Sequence, residues 1–202
     1  MAQVIPELLY RQVLQTGFTW LRDNPQRLAE MMVGLISDDD AQTVQDVRTY
    51  FGSSTNRVEV VQGWPGKSTR FPCVCLILEN DNDEVEFIGR VAEIGLTSDL
   101  TDGMKFGRMW NSKIMFLCCT HNSDLTVFLY YIVKLILEKY QKTMAAAGLH
   151  NLKADGADLQ PKFDFLPDTI TLRGLNVAAS YFLTVQEDHT GPVSVGITAD
   201  PR

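Results

Sequence analysis

Residues 111–149 constrain the fold more than any other stretch. Residues 113–120 read KIMFLCCT, an apolar run bounded by Asn111 and Ser112 on one side and by His121, Asn122, Ser123 and Asp124 on the other. A run of that length with polar bounds predicts a buried central strand. Ser123 or Asp124 then caps a helix, because a short side-chain oxygen takes an orphan backbone N–H of the first turn. The helix is expected over residues 124–147, carrying Val127, Phe128, Tyr131, Ile132, Leu135, Ile136, Lys139 and Met144. Gly148 supplies the left-handed residue that ends such helices. A strand running into a long helix is therefore the spine of the chain.

Ahead of the spine, residues 5–23 predict an amphipathic helix with Ile5, Leu8, Leu9, Val13, Trp20 and Leu21 at helical spacing. Pro6 suits its first turn, and Gly17 weakens its interior by about 1 kcal/mol. Asn24-Pro25 is a turn, and residues 25–36 make a second helix with Leu28, Met31, Met32 and Leu35. Ser37 and the run Asp38, Asp39, Asp40 read as an acidic helix start favoured by the helix dipole. A third helix covers residues 41–50. Residues 52–56 are small and polar, a junction between a helical part (about 1–52) and the sheet.

The sheet starts at residues 58–61 and continues in 73–79, CVCLILE. Between them, Gly63-Trp64-Pro65-Gly66-Lys67 has a glycine-lysine pair without Walker spacing. A phosphate loop also needs a helix directly after it, and Phe71-Pro72 and a strand follow instead. Residues 80–84, with Asp81, Asp83 and Glu84, are expected as a solvated hairpin tip, and 86–96 as further strand. Residues 97–112 read as a polar excursion containing Met104, Phe106, Met109 and Trp110. Two outcomes are open there: a partner-binding surface, or Phe106 and Trp110 folded back on the core. After the spine, 151–161 reads as loop, and 162–165, 169–173 and 176–186 as strand. Residues 187–202 show no core pattern and read as a tail or an arm that orders on a neighbour; Val193, Val195 and Ile197 are its apolar contacts.

The expected fold class is α+β: a mixed, largely antiparallel sheet packed by a long helix, with N-terminal amphipathic helices. The 202 residues make one domain over 1–186 plus the terminal arm, and 45% hydrophobic residues suffice for a core. A net charge of −7 argues against sequence-independent DNA binding, which needs surplus Lys and Arg. Polar residues interrupt the N-terminal apolar stretch, so no signal peptide is expected. The most apolar window, 125–137, contains Lys134 and falls short of the roughly 20 residues of a bilayer span.

Cys73 and Cys75, two apart on one strand, share a face; Cys118 and Cys119 face opposite ways. Their spacing matches no zinc motif, so they are expected as core thiols, a labile disulfide or a metal being the alternatives, and no cofactor is expected. His121, His150 and His189 stand in loops or caps, and no nucleophile or metalloprotease motif occurs. The chain is not expected to be an enzyme; a site assembled only in three dimensions is the rival reading.

From about Val4 to Gln186 the order of pieces resembles bacteriophage tail terminator and neck proteins. The resemblance rests on Asn24-Pro25 after the first helix, Gly63-Trp64-Pro65, and Phe71-Pro72-Cys73-Val74-Cys75. It continues through Phe87-Ile88-Gly89, the strand at 113–120 and the long helix. The late pieces are Asp158-Leu159-Gln160-Pro161, Leu166-Pro167 and Leu172-Arg173-Gly174-Leu175 before a final strand. The extension after Gln186 departs from the pattern. The resemblance implies a structural virion subunit, assembled in the host cytoplasm, that closes a hexameric ring. That ring would cap the tail tube, contact tube and sheath proteins, and join the tail to a head connector or stopper. DNA would pass without specific binding, and no membrane is involved. Within assembly the alternative is a connector, collar or head-completion subunit. One of the two acidic clusters (Asp38, Asp39, Asp40 or Asp81, Asp83, Glu84) is expected to face the channel; the alternative is that both are solvated outer loops.

Overall fold

The apolar run at 113–120 lies at the centre of a five-stranded sheet. The computed structural model describes residues 5–32, 41–53, 57–66, 68–83, 105–158 and 169–186. In chain order the elements are α1 (Pro6–Asp23), α2 (Pro25–Met32), α3 (Ala41–Gly52), β1 (Glu59–Gln62), β2 (Cys73–Asp83), β3 (Lys105–Thr120), α4 (Ser123–Lys139), α5 (Gln141–Ala146), β4 (Leu149–Asp158) and β5 (Thr171–Gln186). The strand order is β1-β2-β3-β5-β4. β1 runs parallel to β2, and every other neighbouring pair is antiparallel. The chain is an α+β protein with N-terminal helices, as its sequence predicts.

The period of two along β2 and β3 sorts their side chains onto two faces. Val74, Leu76, Ile114, Phe116 and Cys118 enter the main core, together with Leu175, Val177 and Ala179 of β5. Across the sheet Leu76, Phe116 and Leu175 stand in one register row. On the helical side Tyr10, Val13 and Leu14 of α1 and Leu129, Ile132, Val133 and Ile136 of α4 meet this face. The opposite face carries a second, smaller cluster: Cys73, Cys75, Ile77, Met115, Leu117, Cys119, Ile170 and Leu172.

Several boundaries differ from the sequence reading. α1 buries Pro6, Tyr10, Val13, Leu14, Gly17 and Leu21, so its inner stripe is rotated from the expected one. Ile5 is 54% and Leu8 48% exposed, and the tyrosine takes the place the sequence reading gave to leucine. The cap of α4 is Asn122, whose side chain accepts from the N–H groups of Asp124 and Leu125 at 2.8 and 3.3 Å. The expected single helix 124–147 is two helices, with a break at Tyr140. Gly148 then turns the chain at φ 108°, where glycine carries no Cβ penalty.

Residues 80–83 are the end of β2 rather than a hairpin tip. A bulge between Leu78 and Asn80 shifts the ladder there, and Glu79 pairs with Lys113 at 2.7 Å. The run 151–158, read as loop, belongs to β4. Its residues 153–156 are all exposed, so this edge strand has no burial pattern for the sequence to reveal. The two expected strands 169–173 and 176–186 are one strand, β5. The strands expected at 86–96 and 162–165 lie outside the described residues.

Gly17 is where α1 crosses α4. A Cβ at this position would come within 2.8 Å of Ile136 Cγ1. Helix propensity alone sees only a cost in this glycine; the approach of Ile136 gives it a packing reason. Gly17→Ala should therefore destabilise by roughly 1–3 kcal/mol through overpacking, despite alanine's better helix propensity. Urea denaturation checks the sign: a stabilised variant would show that the helices separate without cost.

Candidate interaction surface

The excursion expected at 97–112 is largely strand. Lys105–Thr120 is one continuous β3, paired with β5 through all of its length and with β2 from Trp110 onward. The ladder to β5 runs along all of residues 105–112, and β2 joins from Trp110. Met109 and Trp110 are half-buried, and Trp110 packs against the main core. Of the two outcomes left open, Trp110 takes the inward one. Phe106 stands opposite Val185 in the ladder. Met104, Val193, Val195 and Ile197 lie outside the described residues.

Among the acidic candidates, Asp81 is the one whose side chain is described; Asp38, Asp39, Asp40 and Glu84 lie outside the described residues. Asp83 closes β2, opposite Trp110. Asp81 is exposed, and its carboxylate accepts the Tyr181 hydroxyl at 3.0 and 3.2 Å. Burial pushes the Tyr181 phenol up to about 12, helped by the hydrogen bond and charge of Asp81 and by the charge of Glu7. Asp81 is thus tied to the last strand of the sheet, a role that an isolated acidic turn would not have.

Two features leave the surface unfinished. Ile5 and Leu8 are solvent-exposed near the start of α1, and Trp64 in the turn after β1 is 44% exposed. Among the described residues β4 pairs with β5 alone, so its outer backbone edge is open along ten residues. An open strand edge is a template for pairing with another chain. Gly156 of β4 lies so close to the Tyr130 hydroxyl of α4 that a Cβ would collide with it, so the position needs glycine for this approach.

A cleft of about 190 Å³ is bounded by Gln15, Phe18, Arg22, Phe51, Arg57 and Val58. Ligand pockets usually run from about 300 Å³ upward. Arg22 donates to Thr19 at 3.1 Å on its rim, and the hydroxyls of its lining, Thr19 and Ser53, stand there with no His, Asp or Glu among the lining residues. His121 meets Phe71 edge-on at 5.1 Å and His150 is exposed on β4; His189 is outside the described residues. No described helix is long and apolar enough to cross a membrane.

The cysteines divide as parity requires. Cys118 faces the main core, and Cys73, Cys75 and Cys119 face the other way; all four are free and fully buried. Burial pushes the Cys118 thiol up. Thiol hydrogen bonds with Cys119 and Cys73 hold Cys75 down, while those with Cys119 and Cys75 push Cys73 up. The convergence of Cys119 on Cys73 and Cys75 escaped sequence reading, because it depends on the register of β2 against β3. No protein-family model and no curated protein matches the chain.

Proposed function

We propose that this chain is a ring-forming structural subunit of a phage neck, a tail terminator that caps the tail tube and joins it to the head connector. The observation that carries the reading is the edge of β4, ten residues long and without a second strand partner among the described residues, on an otherwise well-packed α+β domain. Such an edge suits a neighbouring chain. The exposed Ile5 and Leu8 add an apolar contact nearby in sequence to the helical part. The resemblance of the sequence to tail terminator and neck proteins supports the same reading. In this reading the subunit sits in the virion, assembled in the host cytoplasm as a hexameric ring, with tail-tube, sheath and connector proteins as partners.

Light scattering and negative-stain microscopy of the full chain, alone and with tail tubes, test the proposal. A closed hexameric ring in either condition supports it. A monomer in both, or turnover of a small molecule, refutes it. Removing residues 187–202 should leave the monomer's melting temperature unchanged and impair ring formation; unfolding on deletion would make the arm part of the core. Leu8→Asp should change folding stability by no more than about 0.5 kcal/mol, since the site is exposed, while weakening association.

In the same reading the duplex passes through the ring without sticking. Each Lys or Arg contact to phosphate adds salt-dependent affinity, whereas carboxylates repel the duplex over about 8 Å at physiological salt. Every subunit carries −7, and Asp81 is an exposed carboxylate available to the lumen. Measurable binding of the ring to duplex DNA at physiological salt, or a lumen lined by Lys and Arg, would overturn this part.

A further inference from the structure

The face of the sheet away from the helices holds three sulfurs at one point. Cys73 on β2 stands directly opposite Cys119 on β3, and Cys75 follows two residues along on the same face. The Sγ atoms of Cys73 and Cys75 are 3.9 Å apart, and all three sulfurs lie within 4.8 Å of one another. Each residue is 0% exposed. Cys118 is equally buried one residue away, yet it sits singly among Val, Leu and Phe side chains as a small hydrophobe would. The trio is different: three thiols from two strands converge where any three small apolar side chains would have filled the space.

The spacing matches a chemical requirement. Three thiolates in a plane around one ion, each about 2.3 Å from it, stand roughly 4.0 Å from each other. Thiolate sets of this kind select soft cations, Cu(I) foremost. Zinc in a closed site takes four ligands. Among the described residues no His, Asp or Glu joins the three sulfurs. Leu117, Leu172 and Ile170 surround the site, and half-buried Phe71 packs on the same cluster with exposed His121 at its edge. The surroundings are apolar, as a water-excluding shell around a soft ion requires. Cys119 Sγ lies 3.7 Å from the Leu117 carbonyl oxygen, a weak contact that aims its thiol.

We propose that Cys73, Cys75 and Cys119 form a three-coordinate thiolate site for a single Cu(I) ion. Copper enters already reduced, so no electrons move. Each sulfur that coordinates gives up its proton to the buffer, and affinity rises with pH. Bound copper ties β2 to β3 on the face opposite the helices and raises the melting temperature by mass action.

The test uses the full chain, reduced and handled without oxygen, titrated with Cu(I) against a chromophoric Cu(I) chelator. The expected result is one Cu(I) per chain, with an X-ray absorption spectrum of three sulfurs at one distance. Cys73→Ala, Cys75→Ala and Cys119→Ala should each lower affinity by more than about 10-fold, since even outer-shell changes cost that much at metal sites. Cys118→Ala should bind as the parent does. Where a triad variant fails to fold, the absorption spectrum of the parent chain decides alone. No binding in competition with the chelator, nitrogen or oxygen ligands in the spectrum, or equal loss in Cys118→Ala would overturn the proposal. So would Zn(II) displacing Cu(I), or a Cys73–Cys119 disulfide in the freshly isolated chain.

Discussion

Phe116→Ala should lower the unfolding free energy by ~3–5 kcal/mol, the range for emptying a fully buried aromatic position. Phe116 is 0% exposed, in the C-terminal half of the central strand, in register with Leu76 on one side and Leu175 on the other. Its ring meets Tyr10 of α1 edge-on, with centroids 5.2 Å apart and planes at 86°. That contact links the sheet to the first helix, and such pairs add about 0.5–1.5 kcal/mol beyond the area they bury. The cavity would open between three strands and a helix, and a sheet held by hydrogen bonds on both sides relaxes little. Domains have about 5–15 kcal/mol in hand, so the variant would lose a large share of its stability. Urea denaturation measures it, with Val127→Ala as the control. Val127 is 37% exposed on α4 and should cost under about 0.5 kcal/mol. A loss below about 1.5 kcal/mol for Phe116→Ala would mean that the core closes over the gap.

The centre of this fold is legible because burial writes a pattern into the sequence. Residues 114–119 are apolar on both faces, since helices cover one face and a second cluster fills the other. That is how a central strand reads, and β3 is the third of five. Legibility fails where the backbone, not burial, decides. Residues 105–112 contain Lys105, Gly107 and Arg108 and look like a loop, yet β5 pairs with every one of them. β4 buries Leu149 at its start, but its residues 153–156 are all exposed and carry no alternation. Helix faces fail differently. Ile5, Leu8 and Leu9 are apolar and correctly spaced, but Tyr10 takes the core because its ring reaches Phe116. The cysteine trio shows the same limit. Parity along one strand places Cys73 with Cys75, but only the register across two strands adds Cys119.

Stability should fall as pH rises through the alkaline range, from about 9 as burial keeps the Cys118 thiol protonated and further above 10 through Tyr10 and Tyr181. Tyr10 is 0% exposed, and its hydroxyl has no hydrogen-bond partner among the described residues. Burial alone pushes its phenol well above the ordinary value. Tyr181 is pushed up to about 12, first by burial and then by Asp81. The unfolded chain releases both protons near pH 10, while the folded chain keeps them. The folded state therefore binds more protons above pH 10, and stability decreases with rising pH. The contribution is fully present below pH 10. It is lost between 10 and about 12 for Tyr181, and over a wider span for Tyr10. Each group contributes a slope of about 1.4 kcal/mol per pH unit within its window. Tyr10→Phe isolates the effect, because phenylalanine keeps the edge-on contact with Phe116 and removes only the hydroxyl. At pH 7 that change should be neutral or stabilising, since an unpartnered buried hydroxyl costs about 1–3 kcal/mol of desolvation. At pH 11 the variant should be more stable than the parent by about a further 1 kcal/mol. Urea denaturation at pH 7, 9, 10 and 11 separates the two terms. A Tyr10→Phe chain that loses more than about 1 kcal/mol at pH 7 would reveal a hydrogen bond to that hydroxyl. An unchanged alkaline slope would place the titrating group elsewhere.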